Sequence, residues 1–307
     1  MNHSSTEIAV NSIPLSIQSE ETAPGFFSDL VMLTKARLTS LVLVTTFVGF
    51  SAASGDSLNW IRLACTLLGT ALVAAASQTF NQVIETDVDR LMERTKDRPL
   101  PAGRMKRQTA LFLGIGMALA GFAILGLTVN LLTASLAAAT LFVYLALYTP
   151  LKRHSFLCIS VGAIAGAIPP VLGWTAARPD FAAGTWILFG VLFLWQMPHF
   201  LAIAWMYRDE YAQAGFVMLR RRDHTGILTA FESLLFTIAL AVVTFVPVLL
   251  KTASLTYAIG AGLCDLSMLI CAIIFLLERN RSNARRLFFA SIIYLPIFLG
   301  LMVFTKN

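Results

Sequence analysis

Nine stretches of mostly apolar residues, each about a membrane's width when helical, run through this chain near positions 38–54, 60–80, 109–129, 131–149, 156–177, 182–204, 226–250, 254–277 and 286–304. A helix needs roughly 20 such residues to cross ~30 Å of hydrocarbon. The composition agrees: of 307 residues, 57% are hydrophobic and 13% charged, about half the ~25% charge of a soluble domain. The expected fold class is all-α, a polytopic membrane protein with nine transmembrane helices.

A formal net charge of +6 raises the question of a nucleic-acid partner, and its distribution answers it. Nine spans place the loops alternately on two sides. One side, with the N-terminal tail, holds 19 of the 23 Lys and Arg residues; the other has only Arg62, Arg178, Lys251 and Lys306. By the positive-inside rule the rich side is cytoplasmic. The expectation is a multi-pass protein of the cell (inner) membrane, in contact with lipid and not with nucleic acid, its N-terminus cytoplasmic and its C-terminus opposite. Residues 1–25 are polar and slightly acidic, unlike a secretory signal or a transit peptide. They read as a disordered cytoplasmic tail, leaving 26–307 as a single transmembrane domain. The four cysteines lie inside spans without a CxxC spacing and read as small packing residues.

The chemistry concentrates where the second span ends. NQVIETDVDRLMERTKDRPL, residues 81–100, holds three Asp, two Glu and four Arg or Lys. If the helix runs on past residue 80, Asn81, Glu85 and Asp89 fall at i, i+4 and i+8 and share one face, with Asp87 on the other. Three oxygen ligands in a stripe suit Mg²⁺, which is held by one or two carboxylates plus waters and substrate phosphates. Bases just beyond, among them Arg94 and Arg98, fit a metal that carries an anion such as a diphosphate. The other reading is a solvated helix end whose acids and bases pair with one another. Against it, Glu85 and Asp89 are like charges four residues apart, which destabilise a helix that has no cation to bridge them.

A second cluster, WQMPHFLAIAWMYRDEYAQAGF (195–216), puts Asp209 and Glu210 at the end of the sixth span. Facing acid clusters across a helical cavity would hold Mg²⁺ and diphosphate between them. YTPLKR (148–153) brings Lys152 and Arg153 to the same side. Small residues in GAIAGAIPPVLGW (162–174) would let helices approach closely, and Pro169 and Pro170 imply a kink. The two long polar loops, four spans apart, read as two four-helix halves with related polar ends, plus a ninth helix. His199 lies ten residues before Asp209, inside the sixth span. An ionisable side chain at that depth is either functional or a neutral histidine hydrogen-bonded within the bundle.

NQVIETDVDRLMERTKDRPLPAG resembles the first polar motif of the UbiA-type intramembrane prenyltransferases, N-x-x-x-D-x-x-x-D. More narrowly, D-x-D-x-x-M-x-R-T-x-x-R-P-L resembles their protohaem IX farnesyltransferase, or haem O synthase, branch, as do the other three blocks quoted above. The resemblance implies nine helices in a UbiA-type bundle around a central cavity. It implies transfer of the farnesyl group of farnesyl diphosphate to a vinyl group of haem b, with addition of water, giving haem O. It implies Mg²⁺ at Asn81, Glu85 and Asp89, with Asp209 and Glu210 facing them and Glu210 matching the acid before Tyr in the second motif. Arg94, Arg98, Lys152 and Arg153 match bases near the diphosphate, and His199 matches the histidine of a P-H-F signature facing haem. A haem A synthase or terminal oxidase is the implied downstream partner.

Two positions depart from the branch: Glu85 stands where the superfamily has Asp, and Val217-Met218-Leu219-Arg220 replaces a P-M-L-P run. Phe80, Tyr148, Trp195 and Tyr211 are candidates to steady an allylic cation. Rival readings are a related enzyme acting on a quinone precursor or lipid, and a transporter or haem chaperone without chemistry. Transporters bind near the midplane, whereas these acids gather at one face.

Overall fold

The structure, a computed structural model, describes residues 25–55 and 57–305; apart from Gly25, the expected tail lies outside them. Every expected apolar run is helical. After a short α1 (Phe26–Leu33) come α2 (Ala36–Ala53), α3 (Trp60–Asp89), α4 (Arg107–Val129), α5 (Leu131–Leu151), α6 (Cys158–Ala177) and α7 (Ala183–Met206). A six-residue α8 (Arg208–Gln213) precedes α9 (Ile227–Leu249), α10 (Leu255–Leu277) and α11 (Arg281–Phe304). Nine of these helices, among the described residues, are long and apolar enough to cross a membrane.

Helix α3 stands apart in length. Its 30 residues rise ~45 Å, well beyond the hydrocarbon thickness, so Asn81–Asp89 continue the helix past the greasy layer. There they are roofed rather than solvated. Residues 90–106 fold back as turns, with Met92, Leu100 and Met105 buried. The Thr95 hydroxyl donates to the Asp89 carbonyl at 2.8 Å, and Arg104 pairs with the buried Asp29 of α1 at 2.9 Å. Gln82 Nε2 donates to the Met32 and Leu33 carbonyls, at 3.0 and 2.8 Å, which ties α1 onto α3.

Helix α6 is the central element: 78% of its spanning window is buried, against at most 50% for any other span among the described residues. The small residues there allow the close approach that their pattern implies. A Cβ on Gly173 would collide with the Thr46 carbonyl of α2, and one on Gly49 with the Pro170 carbonyl of α6. Pro169 and Pro170, expected to kink the helix, sit inside an unbroken Cys158–Ala177.

The last three helices are joined by a buried carboxylate. Asp265 accepts from Thr244 Oγ1 and Tyr294 Oη, each at 2.7 Å, and Tyr257 Oη donates to the Thr244 carbonyl at 2.9 Å. A cavity of about 430 Å³ opens at the end of the bundle away from the basic loops, beside Trp174, Leu188 and Tyr257. Among the described residues no Asp, Glu, Lys, Arg or His lines it.

The two polar ends differ in build. Helix α3 continues into its acidic stripe, whereas α7 stops at Met206, Tyr207 turns the chain (φ −113°, ψ 21°), and Asp209 and Glu210 ride on α8. The expected likeness between the halves does not extend to these ends.

The α2–α6 contact makes a direct prediction. Gly173→Ala lowers unfolding stability in detergent by about 1–3 kcal/mol through overpacking. Gly116→Ala, with open space around the new Cβ, leaves stability unchanged or raises it. Equal thermal midpoints for the two variants would contradict the close approach.

Candidate active site

The stripe on α3 is almost fully shielded, with Asn81 1%, Glu85 4% and Asp89 3% exposed. Each of the three is met by a base from a different segment. Both Glu85 oxygens accept from Lys152 Nζ, at 2.8 and 3.0 Å. Asp89 Oδ2 accepts from Arg98 Nη1 at 2.6 Å. Asn81 Oδ1 accepts from Lys35 Nζ at 3.2 Å, while its Nδ2 donates to Thr149 Oγ1 at 3.3 Å. Two carboxylates four residues apart repel, and burying them without partners costs several kcal/mol each. Lys152 and Arg98 balance the two anions, and Lys35, on Asn81, adds a third basic group.

Lys35 is held there by backbone geometry. It takes a left-handed conformation (φ 45°, ψ 56°), uncommon for a non-glycine residue, in the turn between α1 and α2. Burial, with Arg98 and Lys152 adding repulsion, lowers its ammonium to about 7.

The stripe also fits a divalent cation. Its donors are all oxygen, two of them carboxylates, as Mg²⁺ prefers. Among the described residues no three His, Cys, Asp or Glu side chains stand close enough to share one ion. A metal here would therefore complete its shell from water or substrate oxygens.

The second motif arrives at this site through its rings, not its acids. Tyr211 and Phe216 are buried in one cluster with Val88 from the end of α3 and Met92 from the loop beyond it. Lys152 Nζ lies 4.7 Å from the Tyr148 ring centroid and 5.7 Å from that of Phe216, and the Val217 N–H donates to the Lys152 carbonyl at 2.6 Å. Asp209, expected to face the stripe, is instead 86% exposed and lies 3.6 Å from Arg208. The turn at Tyr207 points it outward, away from a hollow where more unpaired negative charge would be costly. Glu210 is half-buried; its carbonyl accepts from the Ala214 N–H at 3.0 Å, and its carboxylate makes no hydrogen bond or ion pair among the described residues. Asp209 therefore drops out of the expected clasp, and the acids of α3 are met by bases.

The remaining candidates divide. Arg94 is exposed, with its guanidinium carbon 6.0 Å from the Tyr207 ring centroid. Arg153 is exposed and pairs with no acid among the described residues. Phe80 packs its ring on Gly114 of α4.

His199 lies among aromatic rings, with Trp195 stacked at 5.0 Å and Phe288 at 5.0 Å between centroids. Its Nδ1 is 2.7 Å from Ser291 Oγ. Assigning the single Ser291 hydroxyl proton to the Phe288 carbonyl, 2.6 Å away, makes Nδ1 the protonated, donating nitrogen. Nε2 keeps a lone pair and has no hydrogen-bond partner among the described residues.

A buried, base-matched oxygen stripe at one end of a nine-span bundle invites comparison with known proteins. Residues 42–293 match the model of the UbiA prenyltransferase family. The chain belongs to that family. It is 42% identical over 287 residues to protoheme IX farnesyltransferase of Solibacter usitatus, covering 91% of this chain and 98% of that relative. A solved structure of digeranylgeranylglyceryl phosphate synthase matches with a TM-score of 0.78 at 15% identity, over 90% of this chain and 97% of that one. A UbiA homolog from Archaeoglobus fulgidus bound to GPP and Mg²⁺ matches with a TM-score of 0.65 at 13% identity, over 89% and 99%. At such identities the two structures share the UbiA fold.

Some residues around the stripe carried little sequence signal. Lys35 reads only as one more base flanking a span, because nothing in its neighbours announces the left-handed turn. Thr149 sits inside YTPLKR without a charge to mark it. Tyr144 donates to Gln78 Oε1 at 3.1 Å from a π-helical turn, Val143–Tyr148, that no periodicity reveals. Asp265, an acid inside an apolar span, did carry a signal; the structure spends it on joining helices.

The pairing of Lys152 with Glu85 can be tested without substrate. Lys152→Met lowers stability by about 3 kcal/mol by stranding a buried carboxylate, and Lys152→Met/Glu85→Gln recovers much of that loss. A double variant less stable than the single one in detergent unfolding would refute the coupling.

Proposed function

We propose that this membrane prenyltransferase transfers the farnesyl group of farnesyl diphosphate to a vinyl group of haem b, with addition of water, to give haem O and diphosphate. The observation that carries the reading is the stripe on α3, an oxygen ligand set already matched by bases from three other segments. The acceptor is argued from the Solibacter usitatus relative, a protoheme IX farnesyltransferase alignable over nearly its whole length, and from the free Nε2 of His199.

Asn81, Glu85 and Asp89 would hold Mg²⁺, supported by a related fold that binds GPP and Mg²⁺. The ion would neutralise charge growing on the departing diphosphate. Once the carboxylates are so engaged, Lys35, Lys152 and Arg98 are free to donate to phosphate oxygens, the arrangement that stabilises a leaving group without reorganising solvent. Tyr148, beside Lys152, would offer a ring face to steady an allylic cation. Asp209 has no part in this set.

The basic loop face is the cytoplasmic one in this reading, with residues 26–307 a single catalytic domain in the cell membrane. A haem A synthase or a terminal oxidase would take the product.

Asp89→Ala is expected to abolish haem O formation while the protein still inserts and folds, checked by mass spectrometry of haem extracted from expressing cells. Near-normal product would sink the metal assignment. His199→Ala is expected to change the absorption spectrum of the haem-loaded protein, and an unchanged spectrum with unchanged affinity would remove His199 from the acceptor site. A wild-type protein that prenylates an aromatic acid but not haem b would favour the quinone-precursor reading.

A further inference from the structure

Three arginines open α11 and Arg279 just precedes it; the positive-inside rule accounts for their presence on this face but not for where they point. The Arg279 guanidinium returns to its own Leu276 carbonyl, Arg286 to Asn283, and Arg285 to the Phe289 ring. Arg281 alone reaches across to α7, where its guanidinium carbon stands 5.8 Å from the Tyr207 ring centroid. Arg94, from the loop after α3, stands 6.0 Å from the same centroid. Two cations thus converge on one ring, and neither pairs with an acid among the described residues. Exposed cation–π contacts contribute less than about 1 kcal/mol, too little to explain gathering like charges. An anion between them would.

The ring that gathers these cations also ends the helix that carries His199. Eight residues separate His199 from Tyr207 on α7, and seven separate Arg281 from Phe288 on α11. Both intervals correspond to about 10–12 Å of helix rise. Phe288 and Trp195 frame the imidazole whose Nε2 is unengaged. The α7–α11 seam therefore offers, from the basic face inward, the Arg281 guanidinium with that of Arg94 beside it, the Tyr207 ring, and then His199 flanked by Phe288 and Trp195. That sequence matches a metalloporphyrin read from its carboxylate edge to its iron.

We infer that Arg281, with Arg94 across the Tyr207 ring, anchors the carboxylates of the porphyrin acceptor at the basic mouth, so that the macrocycle lies along the α7–α11 seam with its iron toward His199. This rests on haem b being the acceptor and adds its orientation. Arg281 is a specificity-determining residue for the acceptor, separate from Lys152, Arg98 and Lys35, which answer the acids of α3. A guanidinium suits this role through its paired donors, which match a carboxylate.

Equilibrium binding tests it without relying on turnover. Purified full-length protein in detergent is titrated, by absorbance, with haem b and with haem b dimethyl ester, whose carboxylates are masked, for the wild type, Arg281→Gln and Arg281→Lys. The wild type should bind haem b about tenfold or more tighter than the ester. Arg281→Gln should lose most of that preference while keeping its affinity for the ester, and Arg281→Lys should restore part of it. Unchanged discrimination in Arg281→Gln, or equal weakening toward both porphyrins, would overturn the anchor. A wild type that binds both porphyrins but makes no haem O would refute the proposed reaction and leave the anchor to stand on the binding data. A wild type that binds neither would refute both.

Discussion

Two carboxylates buried four residues apart on one helix cannot be left alone, and much of the basic face is arranged around that constraint. Glu85 and Asp89 are nearly inaccessible, and their repulsion has to be met from outside α3. Lys152 comes from the end of α5, Arg98 from the loop beyond α3, and Lys35 reaches the neighbouring Asn81 from the α1–α2 turn. Segments far apart in sequence are thereby drawn to one place. The folded loop of residues 90–106 and the docking of α1 follow from it. In the proposed reaction the same charge balance would suit a dication bearing a polyanion, since acids and bases already stand in contact and would have only to exchange partners.

Length and packing make such a site possible in a membrane protein. A span cut to ~20 residues would leave Glu85 and Asp89 in a loop. Helix α3, at 30 residues, carries them as a rigid extension, so that their spacing survives outside the hydrocarbon layer. The close contact of α2 with α6, permitted by Gly49 and Gly173, holds the centre of the bundle. Asp265 joins the last three helices, and α11 of that group carries both Ser291, which orients His199, and Arg281. The two substrates proposed here would meet where these groups of helices adjoin.

Particular residues show how far sequence reasoning reaches. The spans, the extension of α3 and the shared face of Asn81, Glu85 and Asp89 were legible because they depend on local periodicity and on the width of a bilayer. The pairing of Asp209 and Glu210 with that face was not. It assumed that α7 runs on as α3 does, and a break at one residue, Tyr207, turns Asp209 to solvent. Lys35 gave no sign of its role, because a left-handed turn at a lysine leaves no compositional trace. His199 could be singled out as an ionisable group in an apolar run, but its tautomer is set by Ser291, 92 positions away in the chain.

By itself the sequence determined that this chain crosses a membrane many times, that its charge collects on one face, and that an oxygen-rich stripe lies there at helical spacing. These properties follow from hydropathy and from 3.6 residues per turn, and neither needs a partner segment. The tertiary structure alone decided which bases meet which acids, which motif contributes rings instead of carboxylates, and which arginine of α11 reaches across to α7. Those outcomes depend on side chains from distant segments competing for the same buried charge, and that competition is settled only when the helices are packed together.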